Sequence, residues 1–269
     1  MLYPAAMESD APFRFVDLAT ARAGRGVRML ALSAMPSPWS EAAKGLFHLA
    51  RVPVLAVRFQ RGEAEQAAWA GVRNAPAVLH DDDPPRSGWA EFTTLADRLG
   101  GPGSLVPTDT EARLRLFGLL HEIAGEDGLG WNARLLMIDG SLASGGARSF
   151  PLRVATYLGK DYGYTPGCAD RARRRVGVVL ALLDQQLRRS HSAGRAYMLG
   201  AAVTALDVYA ATFLTPLIPL LPADCPQMLD VLRPAFTYLV EQVGALVPPA
   251  LAAHRRFMFE RHLAWPIAL

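Results

Sequence analysis

Four residues in the stretch SAMPSPWSEAAKGL, Ser37-Pro38-Trp39-Ser40, have the spacing of a redox Cys-x-x-Cys but carry hydroxyls where thiols would stand. No mixed disulfide can form at 37 or 40, which removes thiol–disulfide exchange from the chemistry available there. What remains is help to another molecule's sulfur. Ser37 suits a helix N-cap and Pro38 the first helical position, where proline's missing N–H is not needed. A helix amino end offers unpaired N–H groups and a positive dipole, both of which favour a thiolate. A hydroxyl beside it adds a hydrogen bond to the anion and lowers the thiol pKa from about 8.5. The plain alternative is a well-capped helix start and nothing more.

A second group of residues is Asn74-Ala75-Pro76-Ala77-Val78-Leu79. Proline opening a strand donates no ladder hydrogen bond, and a cis Ala75–Pro76 bond would turn the Ala75 backbone outward, toward an extended peptide. A third is Gly200 to Asp207, in which Thr204 and Asp207 stand at N-cap and N3 spacing and can cap each other at the start of a nearly all-apolar helix. Asp207 is therefore read as structural. Two cysteines, Cys168 and Cys225, lie far apart, and none of the six histidines pairs with a cysteine or carboxylate at ligand spacing. No metal site is expected.

The elements that must position these residues fall into two regimes. From Val27 to Leu99, strand-like runs (VRMLALS, VPVLAVRFQ, APAVLHDDD) alternate with helical patterns (WSEAAKGLFHLARV, EAEQAAWAGVR, GWAEFTTLADRLG). The predicted order is β-α-β-α-β-(β)-α. The Gly/Pro-rich GGPGSLVPTDT reads as a linker ending in a capping box, Thr108 to Glu111. Everything after it reads helical. The expected organisation is an N-terminal surface arm over 1–26, an α/β domain over 27–100 and an all-helical domain over 108–269.

Composition narrows the rest. The chain has 269 residues, 51% hydrophobic and 20% charged, with a net charge of +3. That is a globular composition with too small a basic excess to indicate nucleic acid, and Arg171 to Arg175 reads as a solvated helix face. The most apolar region, YMLGAAVTALDVYAATFLTPLIPLLP, holds Asp207 and three prolines, so a buried core helix is expected rather than a membrane span. With no secretory start, the expected compartment is the cytoplasm.

The order of S-P-W-S, NAPAVL and YMLGAAVTALDVYAA resembles the glutathione S-transferase superfamily over roughly Val27 to Leu220. The resemblance implies a thioredoxin-like α/β domain followed by an all-α helical bundle domain, with glutathione as co-substrate and a homodimer as the assembly. It assigns thiolate stabilisation to Ser37, with Ser40 as a substitute, and glutathione binding to Trp39, Ala75, Pro76 and Ser87. Where that family has Glu or Gln before the serine that holds the γ-glutamyl group, this chain has Arg86. A guanidinium can grip the γ-glutamyl carboxylate but repels the ammonium, so altered, weak and absent glutathione binding all stay open. Trp131, Arg134, Tyr162 and Tyr164 are the candidates for a pocket that takes a hydrophobic electrophile with an anionic or carbonyl group. The alternative places Trp131 in the core and the tyrosines in a surface loop. The function implied is a glutathione-dependent transferase or lyase; its competitor is a non-catalytic binding or dimerisation module on the same fold.

Overall fold

Five consecutive buried residues, Val27–Ala31, form strand β2 at the interior of the sheet. A strand apolar along its whole length needs helices on both faces, and the computed structural model, which describes residues 13–268, supplies them. The sheet runs β1 (Phe13–Phe15), β3 (Val54–Arg58), β2, β4 (Ala77–His80). β1 and β2 are each parallel to β3, and β4 is antiparallel to β2. Helices α1 (Leu18–Ala23) and α3 (Ala64–Ala70) share a small cluster with Leu30, Val57 and Ala77 on one face. On the other face, α2 (Pro38–Leu49) and α4 (Trp89–Gly100) join the main core.

The surface arm expected over 1–26 needs correction where it is described. Phe13–Phe15 pairs with β3 in the register Phe13 to Val54, and Leu18–Ala23 is a helix capped by Asp17, whose carboxylate accepts from Thr20 N–H at 2.7 Å. Residues 1–12 lie outside the described residues. The optional fourth strand of the thioredoxin-like half is reduced to a two-way bridge between Val78 and Arg86.

Seven helices follow: α5 (Thr110–Ala124), α6 (Leu129–Leu142), α7 (Leu152–Asp161), α8 (Ala169–Ser192), α9 (Ala205–Leu214), α10 (Arg233–Val243) and α11 (Pro249–Arg261). The capping box predicted from Thr108 shifts by one residue. Asp109 is the N-cap of α5, and its carboxylate accepts from Ala112 N–H at 2.8 Å. The predicted linker is not a loose tether. Leu105 and Val106 are buried, and both of their N–H groups donate to Asp97 Oδ1, at 2.8 and 2.9 Å. Leu105 C=O in turn accepts from Ala205 N–H at 2.9 Å. The two halves thus share one continuous apolar core.

Every residue of α9 is buried, as expected of a helix apolar on all sides. Among the described residues, no helix is long and apolar enough to cross a membrane. The α9 start is built as the Thr204–Asp207 spacing predicts: Asp207 Oδ2 accepts from Thr204 N–H and from its hydroxyl, both at 2.9 Å. Asp207 Oδ1 also takes Met198 N–H at 2.8 Å and lies 3.0 Å from His254 Nε2 on α11. That pairing joins residues 47 positions apart, outside the short ligand spacings a sequence can show.

His262, just past α11, packs against Tyr197, with Nε2 2.9 Å from the phenol oxygen. Burial lowers its pKa from the ordinary 6.5, with Arg261 and His254 adding to the shift and Asp207 opposing it. The unfolded chain therefore takes up this proton first on acidification. The stability that this group contributes is complete above about pH 6.5 and is lost as pH falls toward the lower folded value. The melting midpoint of His262→Gln is accordingly expected to fall less than that of the unaltered protein between about pH 7.5 and about pH 5.5. Parallel melts monitored by circular dichroism would check this.

Candidate functional site

Ser37 is the N-cap of α2 with Pro38 at N1, in an extended conformation at φ −71° and ψ 118°. Its hydroxyl makes no capping hydrogen bond, and the residue is only 2% exposed. The plain reading of a capping serine is thereby left without its bond. Ser40 behaves differently. It is fully buried, and its Oγ accepts from Leu32 N–H at 3.2 Å, which ties the first turn of α2 to the end of β2. Of the two hydroxyls, only that of Ser37 is uncommitted among the described residues.

The loop before α2 is fixed from both sides. Ser37 N–H donates to Met35 C=O at 2.8 Å, and Leu229 N–H, from the segment between α9 and α10, donates to Ala34 C=O at 2.9 Å. Ala34 sits at φ 66°, a left-handed conformation unusual for a residue with a Cβ. Cys225, in the same segment as Leu229, is buried, and its thiol is pushed up to about 11, mainly by burial. It is a packing residue.

The Ala75–Pro76 peptide bond is cis. Ala75 is half-buried, and neither its N–H nor its C=O has a hydrogen-bond partner among the described residues. Ser87 is exposed just before the N-cap of α4. Its N–H and that of Gly88 both donate to Glu91 Oε2, at 3.1 and 2.8 Å. Arg86 is turned aside, donating to Asp83 at 2.9 Å, and Arg98 shares that carboxylate at 3.2 Å.

Trp39 faces the helical half. Its indole N–H donates to Ala124 C=O at 3.0 Å, and its ring meets Phe213 at 4.9 Å and Tyr162 at 6.2 Å between centroids. Gly130 makes this possible, because a Cβ there would lie 2.4 Å from Phe213 and 2.8 Å from Trp39. Trp131 packs on Tyr162 at 4.6 Å. Trp39, Trp131 and Tyr162 thus form one half-buried aromatic wall between the halves. Arg134, one turn further along α6 than Trp131, lines a small cavity with Pro38, Trp39, Phe213 and Phe236. Tyr164 is held elsewhere: its hydroxyl donates to Asp139 at 3.0 Å. Burial first, then that carboxylate, pushes its pKa up to about 12, so it supplies no phenolate near neutral pH. Among the described residues, no group of three or more His, Cys, Asp or Glu could hold a metal ion.

No protein-family model and no curated protein matches the chain. Solved structures do. A glutathione S-transferase domain-containing protein from Marinobacter aquaeolei VT8 superposes with a TM-score of 0.60 at 13% identity, covering 87% of this chain and 98% of its own. The β-etherase LigF from Sphingobium sp. strain SYK-6 gives 0.56 at 12%, covering 86% and 99%. A glutathione S-transferase from Methylobacterium radiotolerans JCM 2831, in complex with glutathione sulfonate, gives 0.52 at 16%, covering 88% and 92%. The chain has the glutathione S-transferase fold.

Within a glutathione S-transferase fold, the sequence motifs land on three separate supports: the α2 start, the cis bond before β4, and the approach to α4. Ser37, Ala75, Ser87 and the aromatic wall were all legible as candidates. Glu91 was not, although its spacing from Gly88 is that of an N3 acid behind an N-cap. Phe213 was hidden in a helix apolar on every side. Arg61 was also missed. It leaves the β3–α3 loop, pairs with Asp161 and stacks on Tyr157 of α7 at 3.8 Å, so only the folded chain places it.

Proposed function

We propose that the protein is a glutathione-dependent transferase or lyase in which Ser37 holds the glutathione sulfur as a thiolate. The observation that carries this reading is the Ser37 hydroxyl, set at the N-terminus of α2 and bonded to no capping group. The helix dipole and that hydroxyl together favour the anion. The unpaired N–H and C=O of Ala75 offer the two main-chain hydrogen bonds that an extended cysteinyl residue needs. The thiolate then attacks an electrophilic carbon: a C–S bond forms, and the bond to the leaving group breaks with its electron pair. The aromatic wall of Trp39, Trp131 and Tyr162 orients a small hydrophobic electrophile. The LigF relationship in fold supports ether cleavage as one version of this chemistry. The proposed working form is a cytoplasmic homodimer. Retention on immobilised glutathione, with release by free glutathione, tests the reading; no retention would refute it.

A second reading, a non-catalytic binding or dimerisation module, is favoured by the α4 approach. The carboxylate of Glu91 already occupies the N–H groups of Ser87 and Gly88, where the resemblance puts the γ-glutamyl group. The enzymatic reading makes Glu91 a competitor for that seat. Glu91→Ala is then expected to bind glutathione about tenfold more tightly by calorimetry, the equivalent of one charge-assisted hydrogen bond. The same change removes a helix cap and costs about 0.5–2 kcal/mol of stability. Loss of stability with unchanged glutathione affinity would favour the module.

A further inference from the structure

Three arginines, Arg28, Arg134 and Arg255, are buried to the same extent, each 7% exposed. Two of them make hydrogen bonds, although each keeps one buried nitrogen without a partner, Arg28 Nε and Arg255 Nη2. Arg28 donates to the carbonyls of Gly24 and Asp81, and Arg255 donates to the Thr215 hydroxyl at 3.1 Å. Arg134 makes no hydrogen bond and no ion pair among the described residues. Its one polar contact is the face of Phe150, 5.3 Å from the guanidinium carbon. None of its nitrogens is among the fully buried atoms left without a partner, so the guanidinium keeps an opening to solvent. A folded chain that tolerates it in a cavity wall has left five N–H donors for something else.

The surroundings say what that something is. The cavity is lined by Pro38 and Trp39 at the start of α2, Phe213 of α9 and Phe236 of α10, with Met137 one turn along α6 from Arg134. Arg134 is the only charged residue in the lining. The free room is about 10 Å³, about one water, so a head group reaches Arg134 only as a lining side chain yields, and a ring stays outside. Met137, unbranched, is the lining side chain best able to yield to it. Trp131, three positions earlier on α6, Tyr162 and Trp39 present an apolar aromatic surface, with Tyr162 inclined at 49° to Trp131 and 61° to Trp39, against whose faces and edges a ring can pack. Pro38, in the lining, directly follows Ser37 in the chain.

We infer that Arg134 is the anion-recognition residue of this pocket and that the second substrate is an aromatic carboxylate. The guanidinium fork grips the carboxylate, and the aromatic wall takes the ring. This deepens the transferase reading by naming its substrate class, and it rests on that reading for the reaction but not for the binding.

The experiment is calorimetric titration, without glutathione, of 4-chloro-3-nitrobenzoate and of the corresponding uncharged benzamide. The unaltered protein is expected to bind the acid at least about tenfold more tightly than the amide. In Arg134→Met that preference disappears while amide affinity is kept; in Arg134→Lys part of the preference returns. Equal affinity for acid and amide, binding of neither, or a preference that survives in Arg134→Met overturns the inference. If Arg134→Met does not fold, as judged by circular dichroism, the acid-to-amide comparison in the unaltered protein decides alone. Discrimination without retention on glutathione would refute the transferase reading and leave this one standing; retention without discrimination would do the reverse.

Discussion

Asp207→Ala is expected to lower the free energy of unfolding by about 3–5 kcal/mol, the cost of breaking a buried, fully bonded polar cluster. One carboxylate there receives four donors: Met198 N–H, Thr204 N–H, the Thr204 hydroxyl and the His254 ring nitrogen. Removing it orphans two main-chain N–H groups and a buried imidazole at the start of a helix with no exposed face. Because domains are stable by only about 5–15 kcal/mol, such a loss leaves the variant close to unfolding at room temperature. Asp207→Asn should fall between the two, since its amide offers one acceptor and turns a donor toward Thr204 N–H. Urea denaturation reads both, and an unchanged slope would show that only stability moved. A loss below about 1 kcal/mol would show that the carboxylate is not the keystone of α9.

Ser37→Ala is expected to raise the pKa of bound glutathione by up to about two units, worth about 2.7 kcal/mol, with little change in glutathione affinity. Ultraviolet absorbance of the thiolate across a pH series reads the shift, and turnover at neutral pH should fall in proportion to the thiolate lost. Ser40→Ala provides the contrast. Its Oγ is the acceptor of Leu32 N–H in a closed interior, so its removal should cost about 1–3 kcal/mol of stability and leave the thiol pKa unmoved. A thiolate signal that persists in Ser37→Ala would remove the assigned role of that hydroxyl.

What could be seen in advance was whatever local chemistry decides. Ser37-Pro38 marks a helix start because cap and first-turn requirements act within four residues. Thr204 and Asp207 announce their reciprocal bonding for the same reason. The N-cap of α5 is Asp109 rather than Thr108, a choice the sequence left open because both side chains can accept an orphan N–H. β1 escaped because three residues carry almost no pattern of their own and gain their conformation from β3, some forty positions away. GGPGSLVPTDT looked loose because Gly and Pro dominate it, yet Asp97 gathers its amides into the core. In the site, residue types were legible and commitments were not. Only the folded chain distinguishes the occupied hydroxyl of Ser40 from the unoccupied one of Ser37, or Arg28, which donates to two carbonyls, from Arg134, which has no partner among the described residues.

Phe13–Phe15 has a consequence for how the protein behaves in a crowd. Val54–Arg58 would otherwise form the rim of the sheet, a ladder half-finished and ready to be completed by any passing extended chain. Three residues laid along it in parallel close most of that ladder from within the same molecule. The short segment upstream of the recognisable motifs therefore acts as a hem, replacing a five-residue rim with a three-residue one.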